Sequence, residues 1–388
     1  MKRHIIGLMF IWISSLYSQD ETAIVKIDVT IREPYFLTPW AGNSPGNTSG
    51  TGFVIEGNKI ITNAHVIEYQ TFIRIRKPGT VKYYTGDVAF VSNQVDLAIL
   101  TIRDESFFEN IIPLSFGNLP EIQDEILVVG YPIGGDDISY SLGIVSRIEA
   151  QTYAHSLETN LLIQIDAPIN PGNSGGPAFF NTEVIGIATQ TNQSAENLGY
   201  IIPMPVINQF LIDIKDGEVD GVPNTPFSTQ DLENPMLRNY LKLDENSDKG
   251  ILIYSIMEGD EVKTKLKKDD ILIAVDGNDV FFNAKSNYDN QLFSYVTHIS
   301  KRQVGDEIKY TIIRGGKKKI IKDKVYIPKP LIPHRNHNIN TQYYVYGGFV
   351  FLPLNNDYSN YFEDMPLNLK LFYQMKRTEN QKEVVYLQ

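Results

Sequence analysis

The chain has 388 residues, which is long enough for two or three domains, and its 42% hydrophobic share is ordinary for a soluble globular protein. Its 46 acidic residues outnumber its 35 basic residues and give a formal net charge of −11, which argues against nucleic acid as a partner. It contains no cysteine, so disulfides, zinc–thiolate sites and cysteine nucleophiles are excluded.

Residues 1–19 have the pattern of a secretory signal peptide. Two basic residues precede an apolar run from Ile5 to about Ile13, and small and polar residues follow. The run is short for a membrane span, and no later segment is apolar enough to cross a bilayer. We expect cleavage near Ser18 or Gln19 and a soluble exported protein with no stable membrane insertion; the alternative is an uncleaved anchor.

A β-rich domain is predicted for residues 20–215. The run "GFVIEGNKIITNAHV" predicts a hairpin that turns at Gly57-Asn58. Further short apolar runs follow, namely "TFIRIRK", "VDLAILTI", "EILVVGY", "LLIQIDA" and "EVIGIAT". Many short strands at fairly even spacing favour an antiparallel sandwich or barrel. The first helical pattern, "PMPVINQFLIDI", comes at the end of this region.

Residues 216–230 are rich in Gly, Pro and acidic residues, so we interpret them as a linker. A second unit is predicted for residues 231–330, with strands at "GILIYSI", "DDILIAVDG", "EIKYTIIR" and "KKIIKDKVYI". The last two strands meet at Gly315-Gly316, a favourable hairpin turn. Residues 331–388 begin with a Pro-rich break and then show another β segment, "QYYVYGGFVFLPL".

The stretch "PINPGNSGGPAFF" places Ser174 among three glycines, Gly172, Gly175 and Gly176. Glycine weakens regular structure, so its density indicates an unusual backbone conformation. One use of such a conformation is to aim two backbone N–H groups at the oxygen that becomes negative during acyl transfer. The alternative is an ordinary turn between strands, because Gly, Asn and Ser also dominate turns.

A nucleophilic serine needs a base beside it and a third group that orients the base. Among six histidines, His65 stands at the end of a hairpin strand in "IITNAHVI", while His155 and three others lie in polar, loop-like surroundings. Asp96 opens the apolar run "DLAILTI", where a buried charge needs a partner. Each residue alone has a structural explanation, a strand-end histidine and a turn-capping aspartate. Together with Ser174 they form a much more specific combination.

These segments resemble the HtrA/Deg group of chymotrypsin-fold serine proteases, in the motifs "SGTGFVI", "IITNAHVI", "DLAIL", "VGYPIGG", "SLGIVSRI", "NPGNSGGP" and "GYIIPMPVI". The resemblance implies a mainly β chain that begins with two six-stranded barrels. It also implies that Ser174 is the nucleophile, His65 the general base and Asp96 the orienting carboxylate. The N–H groups of Gly172 and Ser174, with Asn173 between them, would form the oxyanion hole.

The same resemblance implies a primary specificity pocket. Pro168 occupies the position six residues before the nucleophile, at the floor of that pocket, and Ile169 follows it. Ala188 and Thr189 are placed on its wall. No acidic residue stands at the floor, so we expect cleavage after small or medium aliphatic residues and not after Lys or Arg.

Residues 231–330 resemble a PDZ domain, and residues 331–388 resemble part of a second, degenerate PDZ-like module of the plant-type Deg branch. Two positions depart from the family pattern. Asp269-Asp270 replaces a usual Gly-Asp pair, and Lys242 stands where the carboxylate-binding loop usually ends in glycine. These departures put the binding of free peptide C-termini in doubt.

The sequence therefore predicts an exported, ATP-independent serine endopeptidase of a bacterial periplasm that cleaves unfolded or damaged envelope proteins. It needs no metal or organic cofactor; the pair His334 and His337 is interpreted as a solvated loop. The aromatic residues Tyr35, Phe36 and Trp40 suggest contacts in a homo-oligomer, a trimer or a multiple of it, or packing on the protease's own surface. The alternative function is a chaperone or scaffold that binds unfolded chains and cleaves little.

Overall fold

The computed structural model describes residues 21–156, 158–191, 198–244, 247–257, 264–289, 291–327, 331–333, 341–359, 367–372, 375, 377 and 381–387. The predicted signal peptide at residues 1–19 lies outside these ranges. The chain divides into two compact units, and the division falls between Val219 and Asp220.

The first unit contains two closed barrels of six antiparallel strands each, as predicted for a chymotrypsin-like fold. The first barrel has the strand order β1-β2-β3-β6-β5-β4. Its strands are β1 (Ile24–Ile31), β2 (Gly46–Ile55), β3 (Lys59–Thr62), β4 (Gln70–Arg76), β5 (Tyr83–Ser92) and β6 (Leu97–Ile102).

The second barrel has the strand order β10-β11-β12-β9-β8-β7. Its strands are β7 (Glu125–Gly130), β8 (Ser139–Thr152), β9 (Thr159–Ile165), β10 (Pro177–Phe180), β11 (Glu183–Thr191) and β12 (Gly199–Pro203). Helix α1 (Met204–Asp213) follows directly, with prolines at and beside its first turn, and buries Met204, Ile207 and Phe210.

The hairpin between β2 and β3 shows how local sequence sets the register. Gly57 and Asn58 have φ angles of 82° and 55°, which only glycine and a few polar residues adopt readily. Such a turn matches the right-handed twist of paired strands. It places Ile60 and Ile61 in the barrel core, both with no exposed surface.

The two barrels meet through buried contacts that bring the functional segments together. Thr51 on β2 donates its backbone N–H to the carbonyl of Ser174, at 2.9 Å. Asn160 on β9 donates its amide to the carbonyl of Gln94, at 3.0 Å, in the turn that precedes β6. Strand β2 therefore contacts the segment between β9 and β10, and the turn before β6 contacts β9.

The segment interpreted as a linker, residues 216–230, ends in a strand. Phe227–Gln230 forms strand β13, which pairs antiparallel with β14 (Ile251–Ile256). Phe227 is 2% exposed, so this segment belongs to the core of the second unit. Its strand partner lies more than twenty residues away in the sequence, and therefore local composition did not reveal the pairing.

The second unit is built on a sheet with the strand order β13-β14-β15-β19-β20, and β16 pairs with β15. The other strands and helices are α2 (Pro235–Tyr240), β15 (Ile271–Val275), β16 (Asn278–Asp279), β17 (Lys285–Tyr288), β18 (Gln291–Ser294), α3 (Thr297–Ser300), β19 (Glu307–Arg314) and β20 (Lys317–Lys324). The predicted turn at Gly315-Gly316 is present, with φ angles of 58° and 73°.

The two departures from the PDZ pattern occupy left-handed backbone conformations. Asp269 has φ 70° and Lys242 has φ 56°, so each adopts the conformation for which glycine is favoured. Asp270 is fully buried and accepts two hydrogen bonds from Arg314, at 2.6 and 2.7 Å. Lys242 lies in the turn that ends α2, where its N–H donates to the carbonyl of Asn239.

The C-terminal segment contributes a separate three-stranded sheet in the order β21-β22-β23. Its elements are β21 (Tyr344–Tyr346), β22 (Phe349–Pro353), α4 (Asn356–Ser359), α5 (Leu367–Phe372) and β23 (Val385–Leu387). The division of residues 231–388 into one PDZ-like domain and part of another stays a prediction. Within the described ranges, no helix is both long and apolar enough to cross a membrane.

Candidate active site

The three predicted catalytic residues come from three junctions between strands. His65 begins a single 3-10 turn directly after β3. Asp96 directly precedes β6 and has φ 56°, a left-handed conformation that aspartate tolerates better than most residues. Ser174 lies in the segment between β9 and β10. We call residues 170–176 the Ser174 turn.

The imidazole of His65 and the carboxylate of Asp96 form a tight pair. His65 Nδ1 lies 2.8 Å from Asp96 Oδ2 and 3.0 Å from Oδ1, and the His65 backbone N–H donates to Oδ1 at 2.9 Å. A carboxylate accepts hydrogen bonds, so Nδ1 carries a proton, and in the neutral imidazole Nε2 then has the free lone pair. The arrangement leaves Nε2 able to take a proton from another group.

Asp96 is held ionised although only 1% of it is exposed. Burial alone raises the pKa of its carboxyl, but the charge and hydrogen bond of His65, the nearby His155 and the Thr189 hydroxyl together lower that pKa below its usual value. Thr189 Oγ1 donates to Asp96 Oδ2 at 2.7 Å, and Asn63 donates its amide to the Asp96 carbonyl at 2.9 Å. The orienting carboxylate is therefore fixed from several sides.

The first backbone donor of the Ser174 turn is the N–H of Gly172. The carbonyl of Pro171 accepts a hydrogen bond from the N–H of Ile133 at 2.8 Å. The described peptide bonds are all trans, so the N–H of Gly172 points in the direction opposite to that carbonyl. Among the described residues it has no hydrogen-bond partner, which leaves it available to an incoming oxygen.

The second donor is the N–H of Ser174. The carbonyl of Asn173, in the same peptide group, accepts a hydrogen bond from the N–H of Gly176 at 2.9 Å. The N–H of Ser174 therefore also points away from a bonded carbonyl, and within the described part of the chain it is likewise unpaired. Two free N–H groups that are two residues apart in one turn are the donors that an oxyanion hole requires.

The glycines of this turn are required by close backbone approaches. A Cβ at Gly172, where φ is 99°, would lie 2.4 Å from the carbonyl oxygen of Tyr131. A Cβ at Gly175 would lie 2.0 Å from the carbonyl oxygen of Thr51. Real side chains do not tolerate such distances, so any larger residue would displace the turn.

The hydroxyl of Ser174 donates to the carbonyl of Thr189 at 2.9 Å. Thr189 lies in β11 at a register shift between Ala188 and Gln190 in its pairing with β12. A bulge of this kind turns a side chain away from its alternating direction. Thr189 therefore contacts Ser174 through its backbone carbonyl and Asp96 through its side-chain hydroxyl. Ser174 and Asp96 thus lie on either side of Thr189.

The residues predicted for the specificity pocket have different surroundings, and their role stays a prediction. The hydroxyl of Thr189 is bonded to Asp96, and the residue is 1% exposed. Pro168 is exposed, whereas the adjacent Ile169 is 3% exposed. Ile169 packs close to Gly199, where a Cβ would lie 2.8 Å from its Cγ1. Ala188 is completely buried.

The sequence analysis missed His155. Its ring stacks on that of His65, with centroids 3.8 Å apart and planes at 9°. It belongs to the loop between β8 and β9, which Tyr153 anchors by donating its hydroxyl to the carbonyl of Leu161 at 2.9 Å. The sequence analysis placed His155 in polar, loop-like surroundings, and nothing in the local sequence indicated that this loop faces His65.

In the part of the chain that the structure describes, no group of three or more His, Asp or Glu side chains is placed to hold a metal ion. His334 and His337 lie outside the described residues. The basic hairpin of β19 and β20 has exposed lysines at its turn.

Two closed barrels, with a carboxylate–imidazole pair beside a serine turn, define the class of trypsin-like peptidases, and a family model described as "Trypsin-like peptidase domain" matches residues 50–187. The chain is 38% identical to "Protease Do-like 4, mitochondrial" of Arabidopsis thaliana over 338 residues, which are 87% of this chain and 65% of that protein. It is 35% identical to "Putative protease Do-like 13" of the same plant over 334 residues, which are 86% of this chain and 68% of that protein.

Among solved structures, the "HtrA-type protease AlgW with decapeptide" has a TM-score of 0.59 at 20% sequence identity. The matched region covers 82% of this chain and 99% of that chain. At that identity the likeness concerns the fold. The chain belongs to the HtrA/Deg family of serine proteases. It spans between 54% and 68% of the length of several curated relatives.

Proposed function

We propose that this chain is an ATP-independent serine endopeptidase that works through an acyl-enzyme and uses no metal or organic cofactor. The observation that carries the proposal is the pairing of His65 with Asp96 at 2.8 Å next to a serine turn with two unpaired N–H groups. Base, orienting acid and oxyanion donors are the parts that serine-based acyl transfer needs.

In the proposed mechanism the Ser174 hydroxyl rotates from the Thr189 carbonyl toward His65 Nε2 when a substrate enters. His65 takes the proton as Ser174 attacks the peptide carbonyl, and the Asp96 carboxylate stabilises the resulting imidazolium. The N–H groups of Gly172 and Ser174 receive the negative oxygen. His65 then passes the proton to the leaving amine, and water releases the acyl group by the same steps.

We propose that the specificity pocket is lined by Ile169 and closed near Gly199. No carboxylate stands at residues 168 or 169 to meet a basic side chain, and an unpaired buried cation costs several kcal/mol. Apolar pockets discriminate among aliphatic residues more gently, by about 1–3 kcal/mol per methylene. Cleavage is therefore expected after Val, Ile, Ala and Leu and not after Lys or Arg.

We propose unfolded or damaged polypeptides as the substrates and a bacterial periplasm as the compartment. The signal-peptide pattern of residues 1–19 supports export. The names of several curated relatives contain the words mitochondrial or chloroplastic, which describe the compartments of those proteins. N-terminal sequencing of the mature protein, with cell fractionation, tests the compartment.

We propose that the second unit includes a PDZ-like domain, and that the chain forms a homo-oligomer through Tyr35, Phe36 and Trp40. Trp40 is 59% exposed and Phe36 is 4% exposed, so only part of this aromatic group is covered within one chain. Light scattering on the full chain measures the assembly.

The decisive experiment is digestion of unfolded casein by the wild type and by Ser174→Ala, followed by mass spectrometry of the peptides. The wild type should cleave after aliphatic residues, label with a fluorophosphonate at Ser174, and lose both properties in the variant. Equal cleavage by both proteins contradicts the assignment of Ser174. If neither cleaves but both keep casein soluble, the scaffold function replaces the proposed one.

A further inference from the structure

Thr51 on β2 holds the Ser174 turn from the opposite barrel. It is completely buried. Its backbone N–H donates to the carbonyl of Ser174 at 2.9 Å, and its hydroxyl donates to the carbonyl of Gly172 at 2.8 Å. One residue of the first barrel thus binds the carbonyls on both sides of Asn173.

The same hydroxyl also serves as an acceptor. The N–H of Tyr131, where the loop between β7 and β8 begins, donates to Thr51 Oγ1 at 2.8 Å. A hydroxyl supplies one donor and two acceptor positions, so both of these bonds form at once. Only Ser or Thr offers this combination in so small a volume.

The peptide group between Gly172 and Asn173 lies between the two peptides that carry the unpaired N–H groups. Displacement of this central peptide changes the ψ angle of Gly172 and the φ angle of Asn173, and any change that the two angles do not compensate re-orients the flanking peptides that carry the donors. Glycine at 172 has backbone freedom that other residues lack, so the position of this peptide depends on its hydrogen bonds. Its N–H donates to the carbonyl of Asn170 at 3.0 Å, within the turn, and its carbonyl accepts from Thr51 Oγ1 at 2.8 Å, from the opposite barrel.

We propose that Thr51 is a positioning residue for the oxyanion hole: its hydroxyl fixes the Gly172–Asn173 peptide and thereby aims the N–H groups of Gly172 and Ser174. This inference rests on the proposed serine peptidase function. Thr51 acts through the turn and does not touch the substrate. Its loss lowers the rate of acylation more than it weakens substrate binding.

The test compares Thr51→Val with Thr51→Ser. Valine keeps the volume and leaves the Gly172 carbonyl and the Tyr131 N–H buried without this partner, whereas serine keeps the hydroxyl. We expect Thr51→Val to lower kcat and the rate of fluorophosphonate labelling by about 10- to 100-fold. This decrease is no larger than the decrease caused by removing one complete oxyanion-hole donor. KM for a short peptide should stay within about twofold, and Thr51→Ser should recover most of the rate.

The matched control is Thr225→Val in the second unit. Thr225 is also buried and donates its hydroxyl to a backbone carbonyl, that of Phe227, at 3.0 Å. This variant removes a buried, hydrogen-bonded hydroxyl without touching the Ser174 turn, so peptide hydrolysis should stay at the wild-type rate. Thermal unfolding of all variants separates loss of stability from loss of rate.

Each outcome decides the question. A labelling rate of Thr51→Val within threefold of the wild type overturns the inference, and so does a Thr51→Ser protein as slow as the valine variant. If the valine variant does not fold, Thr51→Cys replaces it in the comparison with serine, because a thiol is a weak donor. A wild type that neither cleaves nor labels contradicts the proposed function itself, which is a different result.

Discussion

At the scale of single residues, the site depends on a few side chains that serve two partners at once. Thr189 touches Asp96 through its hydroxyl and Ser174 through its carbonyl, and Thr51 binds two carbonyls and one N–H. The carboxylate of Asp96 accepts hydrogen bonds from both His65 and Thr189. Such residues couple groups that lie far apart in the sequence, and their substitution affects more than one contact.

We predict that Asp96→Asn lowers kcat by about 10⁴-fold. The amide of asparagine can donate to Nδ1 of His65 and so stabilise the wrong tautomer of the imidazole, with the proton on Nε2. The substitution should also reduce the free energy of unfolding at neutral pH by about 2 kcal/mol, through lost charge-assisted hydrogen bonds. The pKa of Asp96 is lowered in the folded state from its ordinary value of 3.8, so its stabilising contribution exists above that value and disappears as the pH falls through the folded pKa.

Urea unfolding of the wild type and Asp96→Asn between pH 7 and pH 3 measures this contribution. The difference in unfolding free energy should be largest at neutral pH and should shrink on acidification. A difference that grows as the pH falls would contradict the lowered pKa of Asp96.

The stacked pair of His155 and His65 leads to a second residue-scale prediction. Aromatic pairs contribute about 0.5–1.5 kcal/mol beyond the area they bury, so removal of the His155 ring should let the His65 ring tilt. We expect His155→Ala to lower kcat/KM by about 2- to 10-fold, since that energy corresponds to this range of rates. His155→Phe, which keeps a ring, should restore most of the activity.

The comparison of these two variants at fixed pH, with a short peptide substrate, separates the effect of ring stacking from the effect of the imidazole nitrogens. Equal activities of the alanine and phenylalanine variants would show that stacking does not position His65. Tyr153, which anchors the same loop, stays unchanged in both proteins and keeps the loop in place.

At the scale of elements, strand ends and turns carry the chemistry while the strands supply rigid supports. Within the first unit the three predicted catalytic residues all lie next to strands and not in the middle of them. The Ser174 turn is held by bonds to the loop after β7, to β2 and to β11. Its conformation is therefore a property of several elements and not of its own glycines alone.

We predict that Gly172→Ala abolishes peptidase activity while the two barrels remain folded. The added Cβ would lie 2.4 Å from the Tyr131 carbonyl oxygen, so the turn must move and misplace its N–H groups. Gly134→Ala is the matched control, because Gly134 also has a positive φ, 83°, but nothing lies within 4 Å of its Cβ position.

Both variants share the backbone penalty for an L-residue at positive φ, about 1 kcal/mol, and differ in the clash. Fluorophosphonate labelling and circular dichroism report activity and fold separately. The interpretation of the turn is wrong if Gly172→Ala retains labelling, or if Gly134→Ala loses it to the same extent.

At the scale of the whole molecule, the negative charge is concentrated in the first unit. Residues 21–219 contain 10 Lys and Arg against 23 Asp and Glu, whereas residues 220–388 contain 23 against 22. The protease unit therefore produces a negative field, and such fields raise the association rate of oppositely charged ligands. This effect is screened over roughly 10 Å at 0.1 M salt.

We predict that the enzyme cleaves cationic unfolded substrates faster than anionic ones at low salt. The measurement uses two peptides with one common cleavable core, flanked by lysines in one and by glutamates in the other. Raising the ionic strength should lower kcat/KM for the lysine peptide and raise it, or leave it constant, for the glutamate peptide. Identical salt dependence of the two peptides would remove electrostatic attraction as a source of substrate preference.

Much of this molecule was determined by the sequence itself. The hairpins at Gly57-Asn58 and Gly315-Gly316 and helix α1 follow from local patterns of apolar and turn residues, because hydrogen bonds and side-chain alternation within a few residues decide them. The same holds for seven of the twelve barrel strands, namely β2, β3, β4, β6, β7, β9 and β11. The family motifs marked His65, Asp96 and Ser174 as candidates, and the structure brings His65 and Asp96 into direct contact.

The tertiary structure alone decided the contacts that connect distant segments. Strand β13 formed within a segment of linker-like composition because its partner β14 covers it. The hydroxyl of Thr189 reaches Asp96, 93 residues away, and that of Thr51 reaches Gly172, 121 residues away. His155 faces His65 because the two barrels pack against each other. Local propensity carries no information about such approaches, since they arise only when two independently formed barrels bury their facing surfaces.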